Sequence, residues 1–322
     1  MKKTVLVKSK YNILFDGNNM AFRSAAVIKL TNSAGRSVSV PFGVLRSIRS
    51  IISSFSTDTI TVIWDGSRSK LRTDLLPEYK KSNRRKENKE KFEEDNIYDN
   101  IKITQELLSY LGVPQIKINA TEADDVIADM ADTVKVVLIV STDKDFLQLI
   151  NNNISMYNPF TNTIINNYNF TSEVLPPLTP DQYLEYHILL GDKSDNIDGV
   201  PGIGKKTAYQ LISKFKTIDK AIKSIERSPN AYNKRELNLI VDEYRNQIQV
   251  NRKLIDLREF RMDNIVDYKM NTLDIAPMPN YRKFEIAIRD NQLKFKSIYD
   301  DISYWLFPFR KARVRQIVGK LR

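Results

Sequence analysis

The chain has 322 residues, a formal net charge of +11, no cysteine and a single histidine. The absence of cysteine excludes disulfides and thiolate metal sites, and it fits a reducing cytoplasmic compartment. No apolar run approaches the ~18 residues of a membrane span, and the stretch VLV near the N-terminus is too short for a signal peptide. The positive charge favours an anionic partner, nucleic acid above all, although a basic ribosomal or membrane-surface protein would share it.

The first two predicted strands each end in an Asp-Gly pair. Residues 11–15 (YNILF) run into Asp16, and residues 59–64 (TITVIW) run into Asp65. A helix is predicted between them, beyond Pro41, where apolar residues recur at helical spacing. Because Asp-Gly is a common turn dipeptide, either acid alone has a structural explanation.

A third strand also runs into acid. Residues 136–140 (VVLIV) form an unbroken apolar run, which is typical of a central strand buried on both faces of a parallel sheet. Asp143 and Asp145 follow it, and residues two apart on an extended backbone point the same way. The alternative is a polar loop that caps the next helix. Ligands of parallel sheets bind outside the carboxyl ends of the strands, so three strands that end in acid favour one shared site.

Residues 68–91 carry ten basic and four acidic side chains, a net charge of +6. Such a run of charge is most often a solvated helix or loop. A phosphodiester that approaches a cluster of acids needs counter-charge, however. We therefore interpret this segment as a basic lid over the acidic edge of the sheet.

The stretch TEADDVIADMA (121–131) has apolar residues at helical spacing and predicts an amphipathic helix. Thr121 with Asp124 resembles a capping box. Capping explains one or two carboxylates, but it does not explain Glu122, Asp124 and Asp125 together, because their mutual repulsion opposes the gain. Further along, residues 151–169 predict a short hairpin, followed by a helix that contains the only histidine, which we expect to be packed or surface-lying.

Residues 192–215 (DKSDNIDGVPGIGKKTAYQLISKF) form the second informative unit. Asp192 and Asp195 are three apart, which on a helical turn places both on one side. The Gly-containing turn VPGIG leads into an amphipathic helix, the helix–hairpin–helix pattern that grips a DNA backbone without reading bases. Lys205 and Lys206 add charge at the start of that helix. The alternative is a plain turn between two helices with glycine caps.

Nine acids are expected to share the site. They are Asp16, Asp65, Glu122, Asp124, Asp125, Asp143, Asp145, Asp192 and Asp195. Carboxylate ligands without thiolate or imidazole select hard cations such as Mg²⁺ or Mn²⁺. Nine acids exceed the needs of one ion, so a pair is predicted, with metal-activated water as the nucleophile of a phosphoryl displacement.

These motifs make the chain recognisable. The stretches FDGNN, VIWDG, TEADD, STDKDF and GDKSDNIDGVPGIGKKTA, spread over about residues 12–260, resemble the 5′ nuclease (flap endonuclease) superfamily. That superfamily includes bacteriophage 5′-3′ exonucleases and the 5′ nuclease domain of bacterial DNA polymerase I. The resemblance implies an α/β fold, with a central, mostly parallel sheet flanked by helices (PIN-like), a helical arch and a helix–hairpin–helix subdomain.

The resemblance also implies roles for individual residues. Seven of the acids would be metal ligands or near-ligands, and Asp125 and Asp195 would complete the cluster, partly through water. Four further residues match catalytic positions of the family: Arg23, Arg72, Tyr79 and Lys80. The DNA-binding set comprises the hairpin, which in the family often holds K⁺, and the basic arch: Gly199, Val200, Gly202, Ile203, Gly204, Lys205, Lys206, Thr207, Lys81, Arg84 and Arg85. Thr207 departs from relatives that carry a second basic residue there, which weakens the expected backbone grip.

We expect three regions, consistent with a length that suits about two domains. Residues 1–180 form the catalytic domain with an arch at about 68–100, residues 181–262 bind DNA, and residues 263–322 carry no recognisable motif. The basic end from Arg310 onward is expected to be a phosphate-facing or solvated helix.

The expected activity is metal-dependent 5′-3′ exonuclease or flap endonuclease cleavage of DNA or RNA–DNA in replication, including RNA primer removal (an RNase H activity). The expected substrates are branched or 5′-ended duplexes, 5′ flaps and RNA–DNA hybrids, with replication proteins as further partners. No polymerase-like sequence follows, so we expect a stand-alone, monomeric, phage-type enzyme in the host cytoplasm. The alternatives are a DNA-binding member of the fold with weak or no catalysis and a PIN-type ribonuclease, which would not need the hairpin.

Overall fold

The computed structural model describes residues 11–55, 57, 59–81, 96–259, 278–293, 298 and 300–311. Its centre is a six-stranded sheet in the order β3-β2-β1-β4-β5-β6, parallel except for the β5–β6 hairpin. The strands are β1 (Asn12–Asp16), β2 (Thr59–Trp64), β3 (Gln115–Lys117), β4 (Val137–Val140), β5 (Ile154–Asn158) and β6 (Thr163–Ile165).

The central strands β1 and β4 are almost wholly buried, because both of their faces are covered. The helices of the N-terminal part are α1 (Gly17–Val27), α2 (Ser39–Ser54), α3 (Lys70–Leu75), α4 (Ile97–Tyr110), α5 (Ala123–Thr133) and the short α6 (Phe170–Glu173). Residues of α1, α2 and α4 pack on one face of the sheet, and residues of α5 and α6 pack on the other. A 3₁₀ helix, Lys144–Leu149, follows the acids after β4. The prediction of a mostly parallel α/β sheet is confirmed, and α2 begins two residues before Pro41, which a first helical turn tolerates.

A helical unit follows the sheet. It comprises α7 (Pro180–Leu190), α8 (Lys205–Phe215), α9 (Ile218–Arg227) and α10 (Asp242–Ile255), with short 3₁₀ turns before α10. The apolar stripe expected in α8 is buried against this unit. Asp192 and Asp195 lie on one side, as expected, because both line one cavity. The helical turn expected to place them there is wrong: the segment is a tight hairpin between β7 (Gly191–Asp192) and β8 (Ile197–Asp198), which pair antiparallel.

The C-terminal segment packs back onto the sheet domain through α11 (Tyr281–Asp290) and α12 (Ile302–Lys311). Trp305 stacks between Phe284 and Phe309, at ring-centroid distances of 5.5 and 5.3 Å. These rings belong to the same core as the residues of α2 and α4. A C-terminal segment without a recognisable motif therefore completes the hydrophobic core of the sheet domain.

Within the described ranges, no helix combines the length and the apolar character that crossing a membrane requires. The predicted arch, about 68–100, is described only at its two ends, through Lys81 and from Asn96 onward. Arg84 and Arg85 lie outside the described residues, as does most of the basic end beyond Arg310.

Candidate active site

The site is built where β1, β2 and β4 end. Asp16 is the last residue of β1, and its carboxylate caps α1 by accepting from the backbone N–H of Asn19 at 3.1 Å. The hydroxyl of Ser141, just after β4, donates to the other carboxylate oxygen at 2.8 Å. Burial raises the pKa of Asp16 well above its usual value, and repulsion from Asp65 and Asp143 adds to the shift. The acids predicted at the ends of three separate strands therefore interact electrostatically.

Two asparagines at the start of α1 join the three strand ends. The amide oxygen of Asn18 accepts from the backbone N–H of Asp65 at 3.0 Å. The amide oxygen of Asn19 accepts from both the backbone N–H and the hydroxyl of Thr142, at 3.0 and 2.7 Å. Neither asparagine was predicted to take part in the site. The signal was the pair of amides directly after Asp-Gly in FDGNN.

Asp65 connects β2 to the acidic helix. Its carboxylate accepts from the backbone N–H of Ala123, the first residue of α5, at 2.9 Å. The predicted capping box of Thr121 and Asp124 is therefore wrong: the hydroxyl of Thr121 donates to the carbonyl of Asn119 instead. The cap comes from a strand 58 positions away, which no local sequence pattern can announce. It leaves the acids of α5 available for other partners.

Arg72 is buried within the acid cluster, with 1% of its side chain exposed. Its guanidinium donates to both carboxylate oxygens of Asp125, at 2.6 and 2.7 Å, and to Glu122 at 3.1 Å. Burial and the neighbouring Asp124 raise the pKa of Asp125 to about 7, although Arg72 opposes the shift. Arg72 thus neutralises two acids from inside the protein.

Tyr79 and Lys80 bring the base of the predicted arch to the same acids. The hydroxyl of Tyr79 donates to Glu122 at 2.9 Å and to Asp195 at 3.1 Å. The ammonium of Lys80 lies 2.7 Å from Glu122 and 3.8 Å from Asp195. Burial acts to lower the pKa of Lys80, but Asp195, Glu122 and Asp124 outweigh it and raise the pKa. Lys80 therefore stays charged beside the carboxylates.

The second half of the cluster surrounds a small cavity. It is lined by Asp124, Asp145, Asp192, Asp195 and His187 among others. Burial raises the pKa of Asp145 well above its usual value, and Asp143 and the acids that line the cavity add to the effect.

His187 is half-buried and lines this cavity, and its ring packs at a tilt of 46° against the ring of Tyr183, with the centroids 4.4 Å apart. Its packing agrees with the sequence prediction, but its position beside the acids was not foreseen. Burial lowers the pKa of His187 to about 4, although Asp192 acts in the opposite direction. The imidazole is therefore neutral at physiological pH.

All nine predicted acids lie at this edge of the sheet. Each one interacts electrostatically with at least one other acid of the group. Among the described residues, no three acidic or histidine side chains are arranged to hold one ion as they stand. Glu122 and Asp125 are instead engaged by Arg72, Tyr79 and Lys80. Arg23 does not join the group: it is exposed, and its guanidinium lies 5.7 Å from the centroid of the Phe160 ring.

The predicted DNA-binding turn lies between β8 and α8. Gly202 has φ +78°, a left-handed conformation that favours glycine. The side-chain amide of Asn238 donates to the carbonyl of Pro201 at 2.7 Å and fixes the turn. Val200 and Ile203 are buried and anchor it, whereas the residues available to a ligand are exposed: Gly202, Gly204, Lys205 and Lys206. Thr207 is half-buried, and Lys81, at the arch base, pairs with Glu78 at 3.5 Å.

Two family models match the chain. They are the 5'-3' exonuclease N-terminal resolvase-like domain, over residues 11–174, and the 5'-3' exonuclease C-terminal SAM fold, over residues 178–279. The chain belongs to the 5′-3′ exonuclease family. A 5'-3' exonuclease of Buchnera aphidicola subsp. Schizaphis graminum (strain Sg) is 33% identical over 229 residues, which are 68% of this chain and 76% of the relative. One from Buchnera aphidicola subsp. Acyrthosiphon pisum (strain APS) is 29% identical and covers 87% and 96%.

Solved structures of other proteins share the fold. A bacteriophage T5 flap endonuclease, solved with DNA and metal ions, superposes with a TM-score of 0.68 at 23% identity and covers 88% of this chain and all of its own. The catalytic core of Rad2 in complex with DNA substrate superposes with a TM-score of 0.61 at 18% identity and covers 94% and 93%. At these identities the likeness concerns the fold.

Proposed function

We propose that this 5′-3′ exonuclease family member is a structure-specific 5′ nuclease that uses divalent cations to hydrolyse phosphodiesters. The observation that carries the proposal is the convergence of nine acids at the carboxyl edge of the sheet, with Lys80 and Arg72 among them. A cluster of this charge is costly to bury unless cations compensate it. Family membership supports the reaction class, and the metal ions in the T5 structure support the cofactor class.

The donor set fits Mg²⁺ or Mn²⁺. Every acidic ligand offers oxygen, the chain has no cysteine, and its single histidine cannot form an imidazole site by itself. We propose that carboxylates of this cluster hold a pair of such ions. Binding requires the side chains to rearrange, because among the described residues no three of them are arranged to hold one ion. Such a pair lowers the pKa of bound water and stabilises charge on the attacking and leaving oxygens.

The protein's own groups would prepare the substrate. Lys80, which is charged and partly exposed, is available to a scissile phosphate that displaces it from Glu122. The exposed Gly202 and Gly204 and the first N–H groups of α8 are suited to a phosphate backbone. Lys205 and Lys206 add charge there, and K⁺ at the turn carbonyls is part of the proposal. Such contacts recognise the shape of a duplex rather than its sequence.

The deciding experiment compares a labelled 5′-flap duplex, an RNA–DNA hybrid with a 5′ end and a single strand. We expect EDTA to abolish cleavage, Mg²⁺ or Mn²⁺ to restore it, and Ca²⁺ to support binding with little cleavage. Cleavage that persists in EDTA would contradict the proposal. Cleavage set by base sequence rather than by a 5′ end or junction would contradict its structure-specific part.

Charge-neutralising variants test the residues. Asp143→Ala and Asp124→Ala should lose most activity and still bind the flap duplex, because removing negative charge rarely weakens affinity for a polyanion. Asp132→Ala, at the exposed opposite end of α5, is the matched control and should cleave normally. Binding by the wild type without cleavage under any divalent cation would favour the alternative of a DNA-binding member without catalysis. Cytoplasmic location, a monomeric state and replication partners stay predictions.

A further inference from the structure

The tight turn between β7 and β8 holds the backbone of the segment that carries Lys80. The side-chain amide of Asn196 donates to the carbonyl of Glu78 at 3.0 Å. The backbone N–H of Lys80 donates to the carbonyl of Asp195 at 2.8 Å. Both hydrogen bonds end on backbone atoms of residues 78–80. They therefore fix the backbone of these residues, whatever conformation the side chains of Glu78 and Lys80 adopt.

The backbone on both sides of this contact is left-handed. Lys80 has φ +57° and Asn196 has φ +62°. A lysine adopts this region at a cost, whereas asparagine tolerates it. The conformation of Lys80 is therefore imposed by its surroundings. One hydrogen bond from the turn reaches the backbone N–H of Lys80 itself, and the bond from Asn196 holds the carbonyl of Glu78, two residues earlier.

The turn itself is anchored to the helical unit that carries the proposed DNA-binding hairpin. Asp192 pairs with Ile197 across β7 and β8. The side-chain amide of Asn251, on α10, donates to the carbonyl of Asp198 at 2.8 Å. Ile197 also packs with Tyr79 and Leu254 in a small apolar cluster. The turn is thus a fixed support on which the arch base rests.

We propose that Asn196 is a positioning residue: it ties the backbone before Lys80 to the duplex-binding unit and so keeps the Lys80 ammonium between Glu122 and Asp195. Its place in the reaction rests on the proposed function. The motif GDKSDN contains this asparagine, and the assignment of its two acids leaves Asn196 without a role. The tie to Glu78 supplies one.

Asn196→Gly isolates the side-chain hydrogen bond, because glycine keeps the left-handed backbone without cost. The chain offers a matched control in Asn162→Gly. Asn162 is also exposed, has φ +55° and makes one side-chain hydrogen bond, from the hydroxyl of Tyr157, in the β5–β6 turn. Each variant loses one side-chain hydrogen bond of an exposed asparagine with left-handed backbone, donated by Asn196 and accepted by Asn162.

The first readout is cleavage of the 5′-flap duplex in a single turnover at saturating protein and Mg²⁺. One hydrogen bond is worth up to about tenfold in an equilibrium, so Asn196→Gly should slow the rate by about three- to tenfold. Flap affinity in Ca²⁺ should change less than about twofold. In a Lys80→Ala background, Asn196→Gly should cause almost no further loss of cleavage rate, because Asn196 acts through Lys80.

The second readout does not depend on activity. Limiting acetic anhydride acetylates lysines according to their accessibility, and mass spectrometry compares Lys80 with Lys81 in the same molecule. In Asn196→Gly, Lys80 should be acetylated severalfold faster than in the wild type. In Asn162→Gly, its acetylation rate should not change. Wild-type rates of cleavage and acetylation in Asn196→Gly would overturn the inference, and so would a full additional loss in the Lys80→Ala background. An inactive wild type would overturn the proposed function instead and leave the acetylation test to decide.

Discussion

Arg72→Met tests whether the buried guanidinium stabilises the fold as well as the site. Both carboxylate oxygens of Asp125 accept from Arg72, and within the described residues no other side chain donates to them. Glu122 differs, because Tyr79 and Lys80 also donate to it. The variant therefore leaves one buried carboxylate, that of Asp125, without a side-chain donor, while Glu122 keeps two.

The magnitude follows from that stranded group. Removing one partner of a buried ion pair costs ~3–5 kcal/mol of unfolding free energy. Protonation limits the loss, because the pKa of Asp125 is already raised to about 7 while Arg72 is present, and losing the guanidinium raises it further. We therefore expect about 3 kcal/mol near pH 7.5. A carboxyl whose folded pKa exceeds its unfolded value destabilises the fold as pH rises, so the deficit should shrink toward pH 5.

The assay is urea unfolding in EDTA, followed by far-UV circular dichroism. Arg72→Met with Asp125→Leu should recover about 2 kcal/mol relative to the single variant, because no charge remains stranded. Arg252→Met is the control: its partner Glu185 keeps a backbone donor from Ile218, so about 1 kcal/mol is expected. A loss below about 1 kcal/mol for Arg72→Met, or a double variant less stable than the single, would refute the reasoning.

Three further predictions concern the kinetics, the salt dependence and the C-terminal segment. Lys80→Ala should slow single-turnover cleavage at saturating DNA by ~10²–10³-fold, whereas Lys206→Ala should weaken binding and leave that rate unchanged; identical kinetic signatures would contradict the separate roles. Flap affinity, measured by titration at several KCl concentrations, should fall with a log–log slope of ~0.9 per neutralised phosphate, a slope that Lys206→Ala reduces by about one; an unchanged slope would count against this contact. Trp305→Ala should cost ~3–5 kcal/mol in urea unfolding, since its ring is stacked and buried, while Tyr304→Ala, which is exposed, should cost far less; equal losses would show that the stack is not what stabilises this segment.

The strands and their acidic ends could be predicted from the sequence. Apolar runs such as 137–140 specify buried strands by themselves, and parallel pairing brings Asp16, Asp65 and Asp143 to one edge. The turn before α8 could equally be predicted, because Gly202 lies just before the amphipathic helix Lys205–Phe215. In each case the determining pattern is short and local.

Only the tertiary structure decided which partner each polar side chain takes. Asp65 caps a helix 58 positions away, and Arg72 bonds Asp125 and the carbonyl of Leu254, 53 and 182 positions away. The turn of Asp192, read as helical, became a hairpin. The C-terminal aromatics had no visible role until α11 and α12 met the core of the sheet domain. Local periodicity determines which face of a helix or strand is buried. The partner of a charged side chain depends on which distant residues packing brings beside it, and a short window of sequence does not contain those residues.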